Sequence, residues 1–270
     1  MIDIHSHILP GLDDGSPDME TSIKMARIAI SEGITKMIAT PHFIEDDKEL
    51  DRGEVIDKVK QLNLEFSERN LDLEIFPGEE VFLTPNIVRL YEEGKIITLC
   101  DQNKYVLVEL PLMSLPTYCM DIIYSFKLKG ITVIIAHPER NREIARDQEL
   151  LKEFIKIGAL VQVNSLSLTG VFGRKAKYAA EKIVRSGMTH FIATDCHTAR
   201  SRSPRIKKAL NNIPQSGAKL MLFDNPNRVI KGEDIDNFEG SYSGKGISFF
   251  ERLALFGDSF KSMKEVKHEI

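Results

Sequence analysis

Residues 132–163 read TVIIAHPERNREIARDQELLKEFIKIGALVQV, and this stretch decides the fold class. The apolar, β-branched runs Thr132–Ala136 and Ala159–Val163 predict two strands, and the amphipathic stretch Gln148–Lys156 predicts a helix between them. Gly158 follows that stretch, where the C-terminal cap of a helix favours glycine. A strand, a helix and a second strand in this order are typical of a parallel βαβ unit, so we expect an α/β fold.

The same alternation extends through most of the chain. Five more strands are predicted at Ile2–Ile4, Lys36–Ala39, Leu73–Phe76, Tyr105–Val108 and His190–Ala193. Five more helices are predicted at Met19–Glu32, Glu49–Arg69, Pro85–Glu93, Thr117–Lys129 and Lys175–Ser186. About seven strands favour a barrel over a short open sheet. We therefore expect one barrel domain over residues 1–230 and a C-terminal tail over residues 231–270.

Composition excludes several classes of protein. The 270 residues carry a net charge of −4, which gives no reason to expect nucleic acid as a partner. No apolar run approaches the roughly 18 residues that span a bilayer, and the N-terminus lacks a secretory signal. Three cysteines, Cys100, Cys119 and Cys196, are odd in number and irregularly spaced, so we expect no disulfide framework. We expect a cytoplasmic protein.

The tail has a different composition from the barrel. Residues 232–248 are polar and rich in Gly and Ser, and the segment GISFFERLALFG at Gly246–Gly257 has aromatic and leucine residues at helical spacing. We expect a terminal helix packed on the barrel. A helix lying on a membrane or on a partner is the alternative.

Most histidines of the chain stand at the ends of predicted strands. Because the C-terminal ends of barrel strands meet on one face, residues far apart in sequence are expected to converge there. The five histidines at such ends are His5, His7, His42, His137 and His197. A single histidine at a strand end is commonly structural, but five of the seven in the chain indicate a shared site.

Carboxylates at further strand ends complete a candidate set of metal ligands. His5 and His7 are two residues apart on an extended segment and so point the same way, and Asp195 and His197 repeat that spacing. Only one of Glu79 and Glu80 can face the site, and we expect Glu80; Glu109 is a ligand or a salt-bridging residue. Five histidines with Asp195, Glu80 and Glu109 exceed the needs of one ion, which indicates two or three. A set without cysteine favours Mn, Fe or Zn bound by nitrogen and oxygen.

The motifs around these residues resemble a known superfamily. They are DIHSHILPGLDDG, IATPHF, PGEE, VLVELP, IIAHPERNREI, SLTGVFG and ATDCHT. Together they resemble the PHP (polymerase and histidinol phosphatase) superfamily and, within it, the bacterial metal-dependent protein-tyrosine phosphatases of capsule and exopolysaccharide loci. The resemblance covers residues 1 to about 230, with Cys196 in place of a usual small residue and a weakly matched tail. It implies a distorted (β/α)7 TIM-like barrel of PHP type, Mn²⁺ at a trinuclear site, and the same eight ligands.

The resemblance also implies an activity and further site residues. The implied reaction is hydrolysis of phosphotyrosine on a bacterial tyrosine kinase that regulates capsular or exopolysaccharide synthesis, by attack of a metal-activated hydroxide. Arg140 and Arg202 correspond to phosphate-binding positions, and a guanidinium can bind two phosphate oxygens at once. Asp14 resembles a residue close to the metals that could protonate the leaving phenolate or act beside the ligands; Asp13 is the weaker candidate. Association with a membrane would occur only through the kinase.

Three other interpretations remain open from the sequence. Cys196 and Arg202-Ser203 satisfy the Cys-x5-Arg-Ser/Thr pattern of cysteine-dependent tyrosine phosphatases, although the segment lacks the usual glycines. A small-molecule phosphomonoesterase of the histidinol-phosphatase kind would use the same ligands. A non-catalytic, metal-stabilised module would need no open coordination position, and the retained ligands and arginines argue against it.

Overall fold

The computed structural model describes residues 1–235. Within that range the chain alternates strands and helices, as the sequence predicts. The strands are β1 (Ile2–Ser6), β2 (Lys36–Ala39), β3 (His42–Phe43), β4 (Glu74–Phe76), β5 (Glu80–Phe82), β6 (Tyr105–Glu109), β7 (Thr132–Ala136), β8 (Leu160–Asn164) and β9 (Phe191–Ala193).

The helices follow the strands along the chain. They are α1 (Met19–Ser31), α2 (Arg52–Glu68), α3 (Ile87–Glu92), α4 (Cys119–Leu128), α5 (Arg142–Arg146), α6 (Glu149–Ile157), α7 (Ser165–Leu168), α8 (Gly173–Arg185), α9 (Gln215–Lys219) and α10 (Asn225–Lys231). Three 3₁₀ turns (Leu99–Asp101, Pro138–Arg140, Lys207–Asn212) and a π-helical turn (Leu220–Asp224) complete them. In residues 1–235 none of these helices has the length and apolarity that crossing a bilayer requires.

Every pairing between these strands is parallel, and the pairings follow chain order. One sheet has the order β1-β2-β4 and the other has the order β3-β5-β6-β7-β8-β9. β2 and β3 together form one interrupted strand, as do β4 and β5, which gives seven strand positions. A parallel bridge between Ser6 and Cys196, with hydrogen bonds His7 N–Cys196 O (2.9 Å) and Asp195 N–His5 O (2.9 Å), joins the last position to the first. This arrangement agrees with the predicted (β/α)7 barrel.

Both faces of the strands are buried, which explains why their sequences read as nearly continuous apolar runs. Along β6, Tyr105 and Leu107 belong to a core cluster formed largely by strand residues, whereas Val106 and Val108 belong to the larger cluster that includes the helices. The side chains of β7 alternate between the same two clusters. The smaller cluster fills the barrel, and the larger one packs the helices against its outer face.

The structure corrects several expectations about elements. β3 and β5 were not expected, so Glu80 begins a strand instead of ending one. The short helices between residues 207 and 231 were also not expected. The helix at Gly246–Gly257 and its packing on the barrel lie outside the described residues, and the domain boundary at residue 230 stays a prediction.

Candidate metal centre

β1 carries the first two histidines to the carboxyl-terminal end of the barrel. The Nε2 atoms of His5 and His7 lie 3.3 Å apart, and both side chains are buried. Ser6 between them points the other way, because its hydroxyl donates a hydrogen bond to the Ile38 carbonyl at 2.8 Å. The side chains of His5 and His7 therefore point in the same direction, as predicted.

Glu80 lies at the centre of the cluster. Its Oε2 atom is 3.1 Å from His5 Nε2, 3.2 Å from His7 Nε2 and 3.2 Å from His42 Nδ1. Its Oε1 atom is 2.8 Å from His137 Nε2. A carboxylate with histidines around both oxygens is placed as a bridging ligand between two cations would be. Glu79 points away and accepts a hydrogen bond from the Ile97 amide at 2.7 Å.

The remaining predicted ligands surround this carboxylate. Asp195 Oδ1 lies 3.6 Å from His5 Nε2 and 3.5 Å from His7 Nε2, and Glu109 Oε1 lies 3.7 Å from His137 Nε2. Ligand atoms within 4.8 Å of one another form three groups: His5, His7, Glu80 and Asp195; His7, Asp14, His42 and His197; and His42, Glu80 and Glu109. The structure thus brings all eight predicted ligands together at one site and adds Asp14.

Three buried atoms at the site lack hydrogen-bond partners, and this tests whether the residues fit a metal. They are His42 Nδ1, Glu80 Oε2 and His197 Nε2. Buried polar atoms are nearly always paired, so three unpaired ones in one cluster need an explanation. Imidazole nitrogens and carboxylate oxygens are ligands that Mn, Fe and Zn accept. The donor set and its unpaired atoms fit divalent cations.

The pKa values of the ionisable groups at the site are shifted in different directions. Burial lowers the pKa of His42, and burial beside His7 lowers the pKa of His197 to about 2, so both imidazoles are neutral as ligation requires. Burial, with Glu80 as neighbour, raises the pKa of Glu109 to about 7. His7 behaves differently: burial alone would lower its pKa, but Asp13 and Glu80 raise it to about 10.

Asp13 has a larger part at the site than the sequence suggested. Its Oδ2 atom lies 2.5 Å from His7 Nδ1 and accepts a hydrogen bond from the His42 amide at 3.1 Å. A carboxylate on the far nitrogen of an imidazole fixes the orientation of the ring and leaves Nε2 for a metal. Asp14, not Asp13, falls within a group of candidate ligands, and Asp13 instead orients His7, a role that the sequence did not indicate.

Two polar residues of β8 form another support that sequence reasoning missed. Gln162 Oε1 lies 3.0 Å from His5 Nδ1, and Gln162 Nε2 donates to Asn164 Oδ1 at 2.8 Å. Asn164 Nδ2 then donates to Asp195 Oδ2 at 2.7 Å. The signal was present, because Gln162 and Asn164 interrupt an otherwise apolar buried strand and buried amides need partners.

The backbone is strained where two predicted ligands leave their strands. His137 has a φ of 29° and Asp195 a φ of 50°, values that residues with a Cβ rarely adopt. The expectation of an extended Asp195–His197 segment is therefore wrong at Asp195. The two side chains nevertheless meet, with His197 Nδ1 3.4 Å from Asp195 Oδ1. Strain of this kind is common where function fixes a side chain.

Both predicted phosphate-binding arginines reach the same carboxylate. Arg140 Nη1 lies 3.1 Å from Asp195 Oδ2, and Arg202 Nη2 lies 2.8 Å from Asp195 Oδ1. The side chain of Asp14 is 62% exposed, and its Oδ1 lies 3.4 Å from the Nε2 atoms of His42 and His197. A cavity of about 220 Å³ is lined by Asp14, His42, Ile44, Glu80, Phe82, Glu109, His137, Arg140, Asp195 and Arg202. Cations, guanidinium groups and a phosphate ester could meet there.

Cys196 lies outside this cavity. Its side chain is fully buried in the larger core cluster. Burial raises the pKa of its thiol far above neutrality, so the thiolate that a cysteine phosphatase needs is not formed there. The Cys-x5-Arg pattern therefore has no phosphate-binding geometry behind it.

Sequence comparison places the chain among known proteins. The family model for capsular polysaccharide synthesis, CpsB/CapC, matches residues 1–231. The tyrosine-protein phosphatase YwqE of Bacillus subtilis is 35% identical over 238 residues, which cover 87% of this chain and 93% of YwqE. The tyrosine-protein phosphatase CpsB of Streptococcus pneumoniae is 28% identical, covering 85% of this chain and 98% of CpsB.

Solved structures agree with this placement. One chain from the crystal structures of YwqE from B. subtilis and CpsB from S. pneumoniae, unique metal-dependent tyrosine phosphatases, matches with a TM-score of 0.84 and 33% identity, covering 91% of this chain and all of that chain. Histidinol phosphate phosphatase from Lactococcus lactis, complexed with zinc, L-histidinol and phosphate, has the same fold with a TM-score of 0.53 at 13% identity. The family model and the identity to YwqE show that this chain belongs to the CpsB/CapC family of capsular polysaccharide synthesis.

Proposed function

We propose that this chain is a metal-dependent protein-tyrosine phosphatase that hydrolyses phosphotyrosine on a bacterial tyrosine kinase of capsular or exopolysaccharide synthesis. The observation that carries the proposal is one cavity lined both by carboxylates and imidazoles and by Arg140 and Arg202. The names of the matched relatives, YwqE and CpsB, support the reaction. The family's part in capsule synthesis supports a kinase partner and a cytoplasmic setting.

Two or three Mn²⁺ ions fit the eight predicted ligands, with Fe or Zn as alternatives. The proposed ligands are His5, His7, His42, Glu80, Glu109, His137, Asp195 and His197. When bound, such ions supply Lewis acidity, which polarises phosphate oxygens and makes water nucleophilic near neutral pH. Asp13 and Gln162 keep the far nitrogens of His7 and His5 occupied, so the Nε2 atoms of both rings stay directed at the site.

The two arginines are proposed to bind the phosphoryl group of the substrate. Their side chains are only 19% and 25% exposed, so their charges lie in a poorly solvated cavity where they attract phosphate more strongly than in water. A guanidinium matches two phosphate oxygens at once. Arg140 and Arg202 therefore bind and orient the phosphoryl group, and they stabilise charge that grows on its oxygens as the ester bond breaks.

Asp14 is the remaining predicted catalytic residue. Its Oδ1 lies between His42 and His197, so it either completes that ligand group or holds a proton for the leaving group. Phenolate, with a pKa of about 10 for tyrosine, leaves more readily than an alkoxide. We therefore propose that Asp14 acts chiefly with the ligands, and that its protonation is a minor part of the reaction.

A hydrolysis panel tests the proposed function. Purified protein is stripped with a chelator, reloaded with Mn²⁺, Fe²⁺ or Zn²⁺, and given phosphotyrosine peptide, phosphoserine peptide and histidinol phosphate. We expect no activity after stripping, recovery with Mn²⁺, and the highest kcat/KM on phosphotyrosine peptide. Activity in protein shown by elemental analysis to be metal-free would contradict the metal mechanism. A preference for histidinol phosphate would instead favour the small-molecule phosphomonoesterase.

A further inference from the structure

Phe172 contacts both phosphate-binding arginines. The guanidinium carbon of Arg140 lies 4.6 Å from the centre of the Phe172 ring, and that of Arg202 lies 5.6 Å from it. Both distances are within the roughly 6 Å over which a cation is attracted to an aromatic face. The ring is not itself among the residues that line the cavity. Its contact is therefore with the two arginines, which do line the cavity.

The backbone around Phe172 fixes the direction of its side chain. Gly170 and Gly173 flank the pair Val171-Phe172 with φ values of 86° and 90°, which only glycine adopts without strain. The Val171 amide donates to the Leu166 carbonyl at 3.0 Å, and the Gly173 amide donates to the Gly170 carbonyl at 3.1 Å. Val171 is 50% exposed. The turn thus directs Val171 outward and Phe172 inward.

The other partner of the two guanidinium groups is Asp195. Arg140 contacts one oxygen of its carboxylate and Arg202 contacts the other. Because Asp195 is also a predicted metal ligand, its charge would be shared with any bound cation and its hold on the arginines would weaken. Arg202 Nε is buried without a hydrogen-bond partner among residues 1–235, and the Phe172 ring lies 5.6 Å from the guanidinium carbon of Arg202.

We propose that Phe172 is a positioning residue whose ring holds Arg140 and Arg202 in place for the phosphoryl group of the substrate. The negative face of the ring attracts both cations and partly offsets their mutual repulsion. The ring contacts the guanidinium groups directly and does not involve the Asp195 carboxylate. The role of Phe172 in catalysis rests on the proposed function. Its effect on phosphate binding can be measured without turnover of a substrate.

The test compares Phe172→Ala, Phe172→Leu and Phe172→Tyr with wild type. Val171→Ala is the matched control, because it lies on the same turn and faces solvent. We expect Phe172→Ala to raise KM for phosphotyrosine peptide roughly 5- to 30-fold, as one or two cation–π contacts would. In calorimetric titration of the Mn²⁺-loaded protein with inorganic phosphate, Kd should rise by a similar factor. Tyr should restore both values, Leu should not, and Val171→Ala should change neither.

A mutant cycle separates positioning from a general structural role. In the Arg140→Ala/Arg202→Ala background, Phe172→Ala should change KM and phosphate Kd by less than about twofold, because its partners are already gone. Metal content should match wild type in Phe172→Ala, and Tm should fall by only a few degrees, as expected for the loss of a half-buried ring. Three results would overturn the inference. The first is that Phe172→Ala raises KM and phosphate Kd in the double-arginine variant by as much as it does in wild type. The others are wild-type KM and phosphate Kd in Phe172→Leu, or unchanged phosphate Kd in Phe172→Ala. A wild type that binds phosphate but hydrolyses no substrate would contradict the proposed function alone.

Discussion

Cys196 stands between two predicted metal ligands, yet its sulfur points into the apolar core. Burial keeps the thiol protonated, so it cannot attack phosphorus as a thiolate. We expect Cys196→Ser to retain kcat/KM within about threefold of wild type. The serine hydroxyl would be buried in a largely apolar cluster with Thr194 as a hydrogen-bonding neighbour, so the free energy of unfolding should fall by about 1 kcal/mol.

The matched control for this prediction is Cys119→Ser, which replaces another buried thiol at the start of α4. Both variants should lose stability in denaturant titrations and keep their activity. If Cys196→Ser were inactive with full metal content and an intact fold, while Cys119→Ser stayed active, the cysteine mechanism would replace the one proposed.

At the level of single residues, the sequence predicts which candidate ligands cluster better than it predicts the residues that support them. His137 and Asp195 could be found because strand ends converge in any parallel barrel, whatever the loops do. Asp13 and Gln162 could not be assigned, because a supporting hydrogen bond depends on loop conformation and on the facing side chain. Phe172 gave no signal as a partner of arginines, since an aromatic residue beside glycines is common in loops.

The loop between β1 and α1 is the element that orients His7. The Gly15 amide donates to Asp13 Oδ1 at 2.9 Å, and Asp13 in turn orients His7. A Cβ on Gly15 would lie 2.3 Å from the His7 carbonyl oxygen and 2.4 Å from the His7 Cβ. Both contacts are far inside van der Waals distance, so we expect Gly15→Ala to displace the loop from His7.

The measurements for Gly15→Ala are metal content and kcat. We expect substoichiometric Mn²⁺ by elemental analysis and a fall in kcat of about 100-fold or more, at the upper end of the effect of losing an outer support of a metal ligand. Gly94→Ala is the control, because a Cβ there meets nothing within 4 Å although the φ of 74° adds strain. It should cost about 1 kcal/mol of stability and leave metal content unchanged. Full metal content in Gly15→Ala would contradict this account of the loop.

The elements missed from the sequence are those with too few residues for a periodic pattern. β3 has two residues and β5 has three, so neither shows alternation. Each follows a proline, Pro41 or Pro77, which lacks the amide needed to continue a strand ladder. A strand interrupted in this way reads as a loop. The longer strands were all predicted, β7 at Thr132–Ala136 with its exact bounds and β1, β6 and β8 to within two residues at each end.

At the level of the whole molecule, the site joins the ends of most strands of the barrel. Ligands come from β1 and from the segments at β3, β5, β6, β7 and β9. A cation bound there would connect parts of the chain from His5 to His197, and the unfolded chain cannot present that geometry. Binding to the native state alone adds about 2.7 kcal/mol at 100-fold excess over Kd. We expect Mn²⁺ to raise Tm by about 5–10 °C.

This stabilisation should depend on pH, with a sign set by the protons that the cation displaces. In the absence of metal Glu109 is protonated below about pH 7, because it is buried beside Glu80, and the proton on His7 acts in the same direction. A ligand must lose its proton to bind, so affinity for Mn²⁺ rises as pH rises through 7.

Each proton that the cation displaces weakens binding by up to tenfold for each pH unit below the pKa of the ligand, about 1.4 kcal/mol. Glu109 alone changes the affinity about tenfold between pH 6 and pH 8, so the Mn²⁺-induced rise in Tm, measured by calorimetry, should be at least about 3–5 °C smaller at pH 6 than at pH 8. Glu109→Gln has no carboxyl proton to lose, so its smaller rise should vary less with pH. An equal or larger rise at pH 6 in wild type would show that Glu109 and His7 do not give up protons to the cation.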